Sequence, residues 1–251
     1  VVTLKRVLQR LREVNLAARP SKCALGFSTI EFLGHCFSEG TVHTSRRLTK
    51  KITDAPTPQT KKQVRSFLGL TGYYREYIPH YAEIALPLTE LTRKGEPTRV
   101  IWGEREENAF RKLKECLAAP PILRLPCFDR LLKLKVDASD KGIGAVLMQE
   151  HAGEDFPIAY ASKKLLPREQ NYSTIEKECL AIVWAVKKFD YYLYGRQFEI
   201  HTDHKPLVYI QGKKFENKRI MRWSMILQDY RFRLVSVRGQ DNTAADFLSR
   251  M

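Results

Sequence analysis

The stretch LLKLKVDASDKGIGAVLMQE, residues 131–150, decides the fold class. Leu132, Leu134 and Val136 alternate with Lys133 and Lys135, the period of a strand with one buried face. Asp140-Lys141-Gly142 supplies turn chemistry, and Ile143 to Met148 resumes an apolar strand, so the two runs read as a hairpin. Ile158 to Ser162 adds a third strand and makes an antiparallel meander. The pattern then becomes helical from about Ser173 to Phe189, returns to a strand from Phe198 to Thr202, and opens a short helix at Pro206. A longer helix over roughly Lys218 to Tyr230, an alternating strand from Arg231 to Val237 and a terminal helix from Thr243 complete the series. This order specifies an α/β fold, a mixed sheet with helices on its faces.

Upstream the character differs. Residues 4 to 16 form an amphipathic helical pattern that Arg19-Pro20-Ser21 breaks. Two β-type stretches follow, Ala24 to Phe27 and Phe32 to His43, the second turning at Ser38-Glu39-Gly40. Asp54 to Thr60, with Pro56 and Pro58, reads as a linker. Thr60 or Gln59 then caps a helix from Lys61 to about Thr71, with further helical material from Ala82 to Leu91 and from Glu104 to Ala118. Pro120-Pro121 and Pro126 close this helical region.

The chain has 251 residues, is 43% hydrophobic and carries a formal charge of +15. That size allows one large or two ordinary domains with a sizeable core. No apolar run approaches the roughly 20 residues of a spanning helix, so no membrane association is expected and the protein is read as unexported. The opening at Val1, directly in helical pattern, reads as a piece of something longer. Five cysteines without a Cys-x-x-Cys pair point to reduced thiols rather than to disulfides or structural zinc. Basic residues exceed acidic ones in both halves, which suits a polyanionic partner.

Carboxylates carry the candidate chemistry. Asp137 ends the first strand of the meander, Asp203 follows the strand Phe198 to Thr202, Glu178 lies on the helix between them, and Asp246 falls in the terminal helix. If the two strands are neighbours, their carboxyl ends bring both aspartates to one sheet edge. Carboxylate oxygens suit magnesium. Two such ions, about 3.5 to 4 Å apart, can activate a water and stabilise the leaving oxygen of a phosphodiester. Glu176, two residues before Glu178, falls on another helical face and is the runner-up for that position. His201 and His204 flank Asp203, but no soft ligands accompany them, and packing is the expected role.

The segments Val136-Asp137-Ala138-Ser139-Asp140, Glu176-Lys177-Glu178-Cys179-Leu180-Ala181, His201-Thr202-Asp203-His204-Lys205-Pro206-Leu207 and Asp241 to Arg250 together resemble the ribonuclease H domain of gypsy-type LTR retrotransposons. The resemblance implies a five-stranded mixed sheet in residues 129–251, with Asp137, Glu178, Asp203 and Asp246 as metal-binding catalytic carboxylates. It implies two Mg2+ ions, with Mn2+ as a substitute, and hydrolysis of the RNA strand of an RNA/DNA hybrid. Glu178 would approach the 2′-hydroxyl beside the cut, which only RNA offers; Ser139 would contact the nucleic acid. Cellular relatives carry a histidine in a loop before the last aspartate; the link from Val237 to Asp246 has none, which implies slow turnover.

The likeness extends upstream. Glu31-Phe32-Leu33-Gly34-His35 resembles the primer-gripping hairpin of a reverse transcriptase, implying that residues 1–50 are a palm remnant. Phe67 to Arg75 and Ile84 to Leu88 resemble its helical thumb and connection, implying that assignment for 51–128. No adjacent Asp-Asp pair exists, so the polymerase motif of the family is absent and copying of DNA is not expected. Lys61, Lys62, Arg65 and Arg75 interleave with aromatics as candidate nucleic-acid contacts. Expected partners are the hybrid and the rest of the polyprotein, with dimerisation open, in cytoplasmic virus-like particles or the nucleus. A non-catalytic binding module and a structural subunit are the alternatives, separated from the nuclease by metal-dependent cleavage.

Overall fold

The computed structural model describes residues 2–202 and 217–237. Helix α1 (Val2–Glu13) buries none of its residues. A 3-10 turn at Pro20–Lys22 precedes an antiparallel meander of β1 (Thr29–Phe32), β2 (His35–Ser38) and β3 (Thr41–Thr44). Its two turns, Leu33-Gly34 and Glu39-Gly40, place both central residues at positive φ, the backbone that matches the twist of tight hairpins. The expected strand at Ala24 to Phe27 does not form, and the run Phe32 to His43 is broken a residue after it begins, by the Leu33-Gly34 turn.

Helix α2 (Arg46–Thr53) was not legible in the sequence. Half of its sequence RRLTKKIT is charged, and Thr49 and Ile52 alone are buried. Helices α3 (Lys61–Tyr73), α4 (Tyr81–Ile84), α5 (Leu86–Glu90) and α6 (Glu104–Ala118) follow. Thr60 caps α3 in a capping box with Gln63, satisfying donors that a helix start leaves unpaired. Strand β4 (Leu123–Arg124) returns to pair with β3, so the hairpin strands and the helices share one unit. Its core gathers Ile52, Val64, Phe67, Tyr74, Ile78, Leu88, Phe110 and Leu113.

The second unit is the anticipated α/β fold. Strands β5 (Leu132–Ala138), β6 (Gly142–His151) and β7 (Glu154–Lys164) form the meander, then α7 (Pro167–Gln170), α8 (Thr174–Lys188) and α9 (Asp190–Leu193) lead to β8 (Gln197–Thr202). Helix α10 (Lys218–Leu227) and β9 (Arg231–Ser236) complete the described part. The five strands run in the order β7-β6-β5-β8-β9, with β5, β8 and β9 mutually parallel. Leu132, Leu134 and Val136 pack against Cys179, Ile182, Val183 and Val186 of α8. Each fully buried aliphatic side chain in this sheet–helix contact contributes roughly 2 kcal/mol.

The two units meet through specific bonds. Arg75 donates to the carbonyl of Ser162 at 3.0 Å, and the Ser162 hydroxyl accepts the amide of Ala82 at 2.8 Å. Gln149 in β6, fully buried, binds both the amide and carbonyl of Cys127 and the carbonyl of Arg130, which ties the connecting segment to the sheet. None of the five cysteines is paired. No helix among the described residues is long and apolar enough to cross a membrane.

Candidate active site

Parallel pairing fixes the edge at which the site would lie. Leu132 to Lys135 of β5 run in register with Phe198 to His201 of β8, and the amide of Val237 just past β9 donates to the carbonyl of Thr202. The carboxyl ends of three strands therefore share one edge, the usual place for sites in open α/β sheets. Asp137 is the penultimate residue of β5, half-buried and opposite Gly144 of β6. Asp203 follows Thr202 in the sequence; Asp203, His204 and Asp246 lie outside the described residues.

Glu178 stands in the second turn of α8 and is 4% exposed. Its helix is held over β5 by the apolar contacts described above, and a carboxylate near a helix N-terminus meets a favourable dipole. The neighbouring Cys179 thiol is pushed up to about 12, first by burial and then by the charges of Glu178 and Glu176. Such a thiol is inert at neutral pH. Glu176 is engaged elsewhere: it accepts bonds from Ser173, Asn217 and Arg219.

Among the described residues no group of three or more histidines, cysteines or acids is arranged to hold a metal. Asp137 and Glu178 supply two hard oxygen donors of the type that magnesium takes. His201 bonds Glu199 at 2.8 Å, and this bond, with the Arg233 guanidinium that also pairs with Glu199, holds the Glu199 carboxyl below the ordinary range against the effect of burial.

The candidate nucleic-acid contacts scatter. Lys61 donates to the carbonyl of Arg93 at 2.8 Å and Arg65 to that of Thr92 at 3.0 Å, both supporting the turn after α5. Lys62 is exposed. Arg75 serves the seam between the units and lies over the ring of Tyr81. The Ser139 hydroxyl donates to Glu83 at 2.7 Å and accepts the Gly142 amide at 3.0 Å.

Two residues not anticipated from the sequence stand beside Asp137. His80 and Lys135 line, with Asp137 and Gly144, a cavity of about 10 Å³, room for one water. Glu83 bonds Ser139 and pairs with His80 at 3.5 Å, and its carboxyl is held below the usual range by those groups although burial opposes this. No periodicity or motif relates positions 80–83 to 137–144; only the fold brings them together.

Residues 127–230 match the family model described as RNase H-like domain found in reverse transcriptase. The chain is 40% identical over 250 residues to the retrovirus-related Pol polyprotein from transposon 297 of Drosophila melanogaster, covering 99% of this chain and 23% of that one. It is 36% identical to the corresponding polyprotein from transposon opus of the same organism, covering 26% of it. It thus spans about a quarter of the length of these relatives. A foamy viral protease-reverse transcriptase solved with an RNA/DNA hybrid is similar over 94% of this chain and 32% of its own, at 23% identity and a TM-score of 0.75. That likeness speaks for the fold.

Proposed function

We propose that the chain, whose residues 127–230 match the RNase H-like domain found in reverse transcriptase, is part of a retroelement polyprotein and hydrolyses the RNA strand of an RNA/DNA hybrid with two divalent ions. The observation that carries this reading is the parallel pairing of β5 with β8, with α8 packed over β5. It sets Asp137 and Thr202, the residue that precedes Asp203 in the sequence, at the ends of adjacent strands. Asp137, Glu178, Asp203 and Asp246 would hold the ions, Mg2+ by preference and Mn2+ as a substitute. The ions, when bound, supply an activated water and charge stabilisation on the leaving oxygen.

The protein's own part is placement and exclusion. The buried Glu178 presents its carboxylate from a rigid helix, the arrangement that keeps a reacting geometry fixed. A 2′-hydroxyl beside it would be the feature that distinguishes RNA from DNA. The formal charge of +15 favours a phosphate backbone. The foamy viral protein was solved with an RNA/DNA hybrid, and the proposal extends that ligand to this chain. The rest of a polyprotein is the proposed covalent partner.

The test is cleavage of a labelled hybrid in magnesium, manganese and EDTA, beside duplex DNA and duplex RNA. Metal-dependent cutting of the hybrid alone is the expected result. Asp137→Asn should slow it by about a thousandfold, the rate equivalent of several kcal/mol of lost charge stabilisation. Tight binding without cutting would replace this reading by that of a non-catalytic binding module.

A further inference from the structure

The first turn of α8 carries more bonds than a helix start requires. Ser173 and Glu176 form a capping box, in which Glu176 Oε2 accepts the Ser173 amide at 3.0 Å and its hydroxyl at 3.1 Å. One carboxylate oxygen suffices for that box. The other, Oε1, accepts Asn217 Nδ2 at 2.9 Å and an Arg219 guanidinium nitrogen at 2.6 Å. Asn217 is itself the cap of α10, its Oδ1 accepting the amides of Arg219 and Ile220. A single side chain therefore joins two helix N-termini.

The far side of the joint is also fixed. The Arg219 guanidinium lies 4.0 Å from the ring centroid of Tyr172, and that ring packs against Trp223 of α10. On the other flank of the same turn, Lys177 donates to Asp140 at 2.6 Å, and Asp140 lies in the turn directly after β5. The turn that leads into Glu178 is thus tied to α10 on one side and to the end of the Asp137 strand on the other.

We propose that Glu176 is a positioning residue whose bonds to Asn217 and Arg219 hold the start of α8, and with it Glu178, at the fixed distance from Asp137 that metal binding requires. The proposal rests on the nuclease reading of Asp137 and Glu178. A buried carboxylate has little freedom to correct a shifted helix, so small displacements of this turn pass directly to the site.

Glu176→Gln separates clamp from cap. The glutamine keeps an oxygen for Ser173 and presents an amide donor to the two donors of Asn217 and Arg219. Amide hydrogen exchange over residues 174–182 and hybrid cleavage are measured for the parent, Glu176→Gln, Arg219→Gln and the double variant. Exchange in the first turns of α8 should quicken about tenfold as local opening becomes easier. The kcat should fall about 10- to 100-fold with KM little changed, the usual cost of losing a group that orients a metal-binding side chain. The double variant should be no worse than either single one, because both remove the same joint.

Unchanged exchange in Glu176→Gln overturns the clamp. So does faster exchange with the parent's kcat, or a loss confined to KM, which would make Arg219 a substrate contact. If the parent itself cuts no hybrid, the nuclease reading fails, and the exchange measurement still decides whether the joint exists.

Discussion

An alanine Cβ at position 144 would lie 2.5 Å from His80 Cε1. His80 sits at a φ of 50°, so its own backbone has few alternatives. Gly144→Ala should destabilise the protein by about 1 to 3 kcal/mol, the range for overpacking a rigid contact. The urea midpoint reads it, and His80→Ala in the same chain should recover most of the loss; an unaffected single variant would mean that the contact is loose. Gln149 offers a second case, since three backbone groups of residues 127 and 130 depend on it. Gln149→Leu takes the side-chain partner from these part-buried groups, the Cys127 carbonyl alone keeping the amide of Arg130, and a loss of about 2 kcal/mol is expected; a loss below a third of that would mean water replaces the amide. At this scale the sequence made Asp137 and Glu178 visible through local pattern. His80, Glu83 and the second role of Glu176 were not visible, because each is defined by a partner some 40 to 60 positions away.

Among the elements, the β1–β2 hairpin depends on its tyrosines. Tyr73 and Tyr74 donate to the carbonyls of Leu33 and Gly34, and Tyr77 shares a hydrogen bond with His35 Nδ1 at 2.9 Å. Burial holds the His35 imidazole below its ordinary value of 6.5, with Glu76 opposing. The unfolded chain accepts a proton that the folded hairpin refuses. This part of the stability is therefore complete above about pH 6.5 and declines as the pH falls below it. Unfolding midpoints at pH 7.5 and 5 should differ less in His35→Gln than in the parent; equal differences would remove His35 from the account. The long elements were legible because their periodicity is long: α6 over Glu104–Ala118 and β5 both fall where the pattern puts them. Helix α2 was not, for it buries little, and its N-terminal Ser45 spends its hydroxyl on Glu31 of β1 rather than on a cap. The Leu33-Gly34 turn was equally hidden, since leucine at positive φ leaves no signature.

Across the whole molecule, the seam decides how independently the units behave. Arg75, Ala82 and Glu83 of the helical unit meet Ser162 and Ser139 of the sheet, and Tyr160 of β7 packs against the helical core. A seam of several directional bonds between buried surfaces should couple the two cores. Thermal unfolding is expected as one transition, coincident by near-UV and far-UV circular dichroism; two resolved transitions would show that the seam opens first. The order of the long elements from α3 to β9 was legible, whereas this docking was not, because glycines at 142 and 144 announce only that something comes close.

That docking also bears on descent. The connecting segment at residues 125–131 looks like a natural seam for exchange between related genes. A crossover there would separate residues 75–90 from 139–162, so each recombinant would inherit half of two unrelated matings, with foreign side chains aimed at Gly142 and Gly144. A crossover before residue 60 would transmit both halves together. Lineages should therefore carry the helical unit and the sheet as one heritable block, whatever freedom of exchange prevails upstream.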